Sequence, residues 1–113
     1  MEFEVEVTPR AEADIAEAYA YIRRYAPAAA DRWLLRLRKA IASLGSMPPR
    51  CPLAPEAERV GQKLYQLLVG RRSGIYRVIF RIRQSPGEKL VVQVLAVRHG
   101  AREAMAAQDF EAE

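Results

Sequence analysis

The stretch from Leu64 to Arg102 constrains the fold most, because it reads as three strands joined by two tight turns. Apolar and β-branched runs alternate there with Gly-bearing breaks at Gly70-Arg71-Arg72-Ser73-Gly74 and Ser85-Pro86-Gly87-Glu88. The basic charge is concentrated in the same stretch. Residues 64 to 102 hold eight Lys/Arg (Arg71, Arg72, Arg77, Arg81, Arg83, Lys89, Arg98, Arg102) against one acid, Glu88, a local balance of +7. With a net charge of +4 for the whole chain, everything outside it balances to −3.

The middle strand sets the direction of that charge. Strand side chains alternate between faces, so Tyr76, Val78, Phe80 and Ile82 point one way and Ile75, Arg77, Ile79, Arg81 and Arg83 the other. One face is expected to be core and the other to present three guanidiniums. For Arg81 and Arg83, a solvated sheet face and a binding face are both adequate accounts. Arg77 sits between Ile75 and Ile79 on its own face, and a half-buried guanidinium there needs a partner or a function.

The strand Phe3 to Val7 alternates apolar residues with Glu2, Glu4 and Glu6, the pattern of a half-buried outer strand. Thr8 is placed to cap a helix, with Pro9 at its first position, and the spacing of Ala11, Ile15, Ala18, Tyr19 and Ile22 predicts helix over residues 9–25. Pro27 interrupts it. A second helix to Leu44 follows from the spacing of Ala30, Leu34, Leu37, Ile41 and Leu44, and Gly45 stands at its stop. So short a link predicts an antiparallel hairpin. Arg32, Arg36 and Lys39 share an outer face of the second helix, either solvated or a binding stripe. Trp33, beside the core stripe, is either core or a partly exposed anchor for a partner.

Pro48, Pro49, Pro52 and Pro55 mark residues 46–55 as a rigid loop, with a short helical turn near Pro55 to Val60. The last strand, Leu90 to Val97, is apolar on both faces except at Gln93, which predicts an interior position. After Arg102 the segment 103–113 is an acidic tail. The order predicts a single α+β domain over 1–113: β-α-α-β-β-β, a helical hairpin on one face of a mostly antiparallel sheet of about four strands, with the arginines on the other face.

At 113 residues the chain suits one core. No apolar run is long enough to cross a bilayer, and the acidic start is unlike a signal peptide, so a cytoplasmic protein without membrane contact is expected. Cys51 and His99 are the only cysteine and histidine, which leaves no internal disulfide, no Cys/His metal site and no implied cofactor. His99, between Arg98 and Gly100-Ala101-Arg102, is the one imidazole. It either caps the strand end or serves as a general acid or base beside guanidiniums that hold a phosphate, the chemistry of metal-free RNA cleavage.

Tyr76-Arg77-Val78-Ile79-Phe80-Arg81-Ile82, followed after a Pro-Gly turn by Val91-Val92-Gln93-Val94-Leu95-Ala96-Val97-Arg98-His99-Gly100-Ala101-Arg102, resembles the C-terminal half of the RelE/ParE superfamily of type II toxin-antitoxin toxins. The hairpin beginning at Thr8-Pro9-Arg10-Ala11 and the Pro-containing loop extend the resemblance over nearly the whole chain. The resemblance implies one of two activities. RelE-like members cleave mRNA on the ribosome, and Arg77 matches their strand arginine; His99 would be the second catalytic candidate. Gln66 and Leu68 stand where that branch carries lysines, and no tyrosine follows Tyr76. ParE-like members inhibit DNA gyrase, and the ending Val97 to Arg102 is closer to theirs. On that reading Arg71, Arg72, Arg77, Arg81, Arg83, Arg98 and Arg102 are target-binding candidates. Both branches imply growth arrest, plasmid stabilisation and a cognate antitoxin, which folds across the toxin and alone contacts operator DNA. Tyr19 and Trp33, on the apolar edge of the hairpin, are the candidate antitoxin contacts.

Overall fold

The computed structural model describes residues 2–70, 74–84, 86–87 and 89–100. Arg71, Arg72, Arg102 and the acidic segment 103–113 lie outside the described residues. Strand β1 (Glu4–Val7) leads into helices α1 (Pro9–Tyr25) and α2 (Pro27–Ala42). Two 3-10 turns, Ser43–Gly45 and Pro48–Arg50, and the short helix α3 (Glu56–Val60) precede β2 (Tyr65–Val69), β3 (Tyr76–Gln84) and β4 (Leu90–His99). The sheet order is β1-β4-β3-β2, with β1 parallel to β4 and the other pairs antiparallel. This is the α+β arrangement expected from the sequence, with β1 on the edge and β4 inside. No helix among the described residues is long and apolar enough to cross a membrane.

Thr8 joins the two layers. Its Oγ1 accepts from the Ala11 N–H (3.2 Å), capping α1, and donates to the Val94 carbonyl (2.9 Å), pinning the cap to β4. Pro27 forces Ala26 out of helical geometry (φ −153°), and the chain reverses into α2. Ala11 and Ile15 of α1 and Trp33, Leu37 and Ile41 of α2 pack on Tyr76, Val78 and Phe80 of β3 and Val92, Val94 and Val97 of β4. The stripe of α2 therefore runs through Trp33, and Leu34 lies at its margin. Burying a side chain such as Phe80 contributes roughly 2 kcal/mol.

Two features depart from simple alternation. The register of β3 against β4 shifts between Ile79 and Phe80, which lie opposite Ala96 and Val94, so Leu95 is an extra residue in β4. Beyond it the faces of β4 exchange: Val97 joins Val92 and Val94 on the helix side, whereas Leu95 and Ala96 both lie on the other. That other face, expected to be open, is covered in part. Ala54, Leu64, Ile79, Leu95 and Ala96 form a second apolar cluster, with Ala57 and Val60 of α3 packed on it. The Pro-rich loop thus crosses to the face opposite the hairpin and closes a smaller core.

Candidate functional site

The covering of that face decides the fate of Arg77. Its guanidinium is buried, with Nη1 donating to Glu56 Oε1 (3.0 Å) and Gln66 Oε1 (3.0 Å), and Nη2 to Glu56 Oε2 (2.7 Å). Glu56, on α3, has no solvent exposure. A planar fork held by both carboxylate oxygens is a closed arrangement: a phosphate could engage it only by displacing Glu56 and opening the second core. Among the three guanidiniums expected on an open face, Arg77 is therefore withdrawn, because α3 supplies a buried carboxylate and apolar cover.

Arg81 and Arg83 stay on the accessible part of the face, but with partners. Arg81 Nε donates to Gln93 Oε1 (2.7 Å), Gln93 Nε2 to Glu6 Oε1 (2.9 Å), and Arg83 Nη2 to Glu6 Oε2 (3.2 Å). Lys89 Nζ lies 3.2 Å from Glu4 Oε2. Two acids of β1, Glu4 and Glu6, are thus brought by parallel pairing with β4 onto the arginine face, where they pair with Lys89 and Arg83. These exposed pairs are worth little in stability.

His99 stands elsewhere. It lies opposite Tyr76, their rings 5.1 Å apart and edge to face, and Tyr76 in turn packs on Trp33 at 5.1 Å. Arg77 pairs instead with Arg98. Consecutive residues of β3 face opposite ways, so the two candidates for phosphodiester chemistry occupy opposite faces of the sheet.

On the helix side, an open groove of about 750 Å³ runs between α1 and the end of β4, lined among others by Asp14, Glu17, Tyr21, Arg24, Tyr76 and His99. Asp14 Oδ2 accepts the Val97 N–H (2.9 Å), a β4 edge donor past the last residue paired with β1. Burial pushes the Asp14 carboxyl above the usual carboxylate range, opposed by that hydrogen bond and by Arg10; burial also raises the Tyr76 phenol. Asp14 and Glu17 share the lining with Arg24 and Arg98, which makes a charge-balanced groove. Such a lining suits a protein segment better than a polyanion.

The two expected antitoxin contacts are engaged within the hairpin. Tyr19 Oη donates to Asp31 Oδ1 (2.5 Å) and accepts from Arg23 Nη1 (3.2 Å), linking α1 to α2. Trp33 is buried in the core of the chain, against Tyr76. The exposed aromatic residues of α1 are Tyr21 and Tyr25, at 59% and 71% exposure, their rings 5.5 Å apart with Arg24 over Tyr25. Their spacing of four, off the Ile15 and Ile22 face, is the sequence signal that would have found them. Glu56 carries no such local signal, because its partner Arg77 is 21 residues away in sequence. Cys51 is buried in the main core, and burial raises its thiol pKa.

The sequence model of the family described as "ParE toxin of type II toxin-antitoxin system, parDE" matches residues 5–104. A solved structure of the chromosomal ParDE TA system from P. aeruginosa is similar in fold, with a TM-score of 0.67 at 17% identity, covering 87% of this chain and 96% of that one. No curated protein matches the chain.

Proposed function

The chain belongs to the ParE toxin family of type II toxin-antitoxin systems, and on that premise we propose that it arrests growth by docking on DNA gyrase rather than by cutting RNA. One observation carries this reading: Arg77 is locked onto Glu56 on one face of the sheet while His99 stands on the other. A general acid-base imidazole and a phosphate-holding guanidinium must meet at one phosphorus, and these two do not share a face. A protein inhibitor needs only a stable shape and a complementary surface. Arg81, Arg83 and Arg98 are then docking residues. A cognate antitoxin neutralises the toxin, and operator DNA is contacted only through it. The groove beside Tyr21 and Tyr25 is the surface of this chain best suited to that antitoxin, since exposed aromatics and an apolar floor accept a segment that folds on binding.

Pulse labelling of DNA and protein synthesis after induction of the chain alone tests the proposal. DNA synthesis should fall first, accompanied by a DNA-damage response, and the purified protein should inhibit gyrase supercoiling. Early loss of protein synthesis with mRNA cut inside codons would overturn it.

A further inference from the structure

The outer flank of α2 has no place in this reading. At positions 32, 35, 36 and 39 the helix carries Arg32, Leu35, Arg36 and Lys39, all exposed and opposite the buried residues Ala30, Trp33, Leu37 and Ile41. The neighbouring flank is engaged with α1: Arg38 Nη2 pairs with Glu12 Oε1 (2.9 Å), and Asp31 accepts from Tyr19. Among the described residues, the ion pairs engage Arg38, Arg77, Arg83 and Lys89, and none involves Arg32, Arg36 or Lys39. Leu35 stands among these three cations at 62% exposure, an apolar side chain without a packing role.

We propose that this flank, built on Arg32, Leu35, Arg36 and Lys39, docks an acidic protein segment whose carboxylates flank one bulky apolar side chain. The cations sit within about two helical turns, a spacing that a single short segment can match with acidic residues. Leu35 decides for protein over nucleic acid. Contacts to a phosphate backbone draw on cations and polar hydrogen-bond donors, and an exposed leucine among them adds nothing. At protein interfaces a central apolar contact ringed by arginines is a productive combination, because the apolar pair excludes water from the surrounding charges. The inference depends on this surface alone and not on whether gyrase is the target.

The test is selection of a displayed random-peptide library on the full chain, followed by calorimetry of a selected peptide with wild type, Leu35→Ser and the double variant Arg32→Ser/Arg36→Ser. All three positions are exposed, and circular dichroism verifies that each variant is folded. Enriched peptides should carry Asp or Glu on both sides of a Leu, Phe or Trp. Each variant should bind about tenfold more weakly, and wild-type affinity should fall as salt is raised. Peptides without an acidic bias, or peptides that tolerate the α2 changes but are lost with Tyr21→Ser, would overturn the proposal. So would preferential binding of a random-sequence DNA duplex that depends on the same arginines.

Discussion

Glu56 Oε2 lies 2.7 Å from Arg77 Nη2, a contact that joins the short helix α3 to the centre of β3 across 21 residues of sequence. Both groups are buried, so the pair is sensitive to losing one partner alone. Glu56→Ala should cost about 3 to 5 kcal/mol in urea unfolding, since it strands the guanidinium under the second apolar cluster. The double variant Glu56→Leu/Arg77→Met should recover most of that loss, because apolar groups of similar size need no partner. A Glu56→Ala protein as stable as wild type would mean that the pair is open in solution.

His99→Ala should leave growth arrest intact, because the imidazole packs on Tyr76 and does not meet Arg77. Induction of the variant beside wild type, with soluble expression verified, is the measurement. Abolished toxicity in a folded variant would restore the imidazole to the chemistry.

Asp14 gives a pH dependence of definite sign. Its carboxyl is raised above 3.8 mainly by burial, so the charged form is disfavoured in the folded state. The favourable contribution of the protonated group is complete below its usual pKa and is lost as pH rises through the folded value. Asp14→Asn keeps an acceptor for the Val97 N–H without the charge. It should match or exceed wild-type melting temperature at neutral pH, with the difference shrinking toward acid pH. Asp14→Ala should instead lose about 1 to 3 kcal/mol, since a buried donor goes unsatisfied.

Gly70 has φ +110°, and a Cβ there would meet the Gly74 carbonyl oxygen at 2.1 Å. Gly70→Ala should therefore destabilise by roughly 2 kcal/mol or more in chemical denaturation, combining backbone strain with a backbone clash. Gly61→Ala serves as the control: φ is also positive (+78°), but the space is open, so its cost should be smaller.

Local sequence signals set the main elements and their order. Thr8-Pro9 and Pro27 set the helix ends, the spacing from Ala11 to Ile41 set the buried stripes, and the Gly-bearing breaks set the strands. These are local effects of capping, φ restriction and side-chain periodicity, each readable within a few residues. The charge of the 64–102 stretch was legible in the same way, but its destination was not.

Which residues share a face, and which are covered, follows from long-range packing. Strict alternation from Gln93 would carry His99 to the arginine side; the extra residue Leu95 reverses the faces and sends it to Tyr76 and the helices. Likewise Glu6 meets Arg83 only because β1 adds in parallel beside β4, and Glu56 meets Arg77 only because the Pro-rich loop folds across the sheet. A bulge and a long-range ion pair depend on strand register and on contacts far apart in sequence, where the free energy of the whole packed core, and no local preference, selects the arrangement.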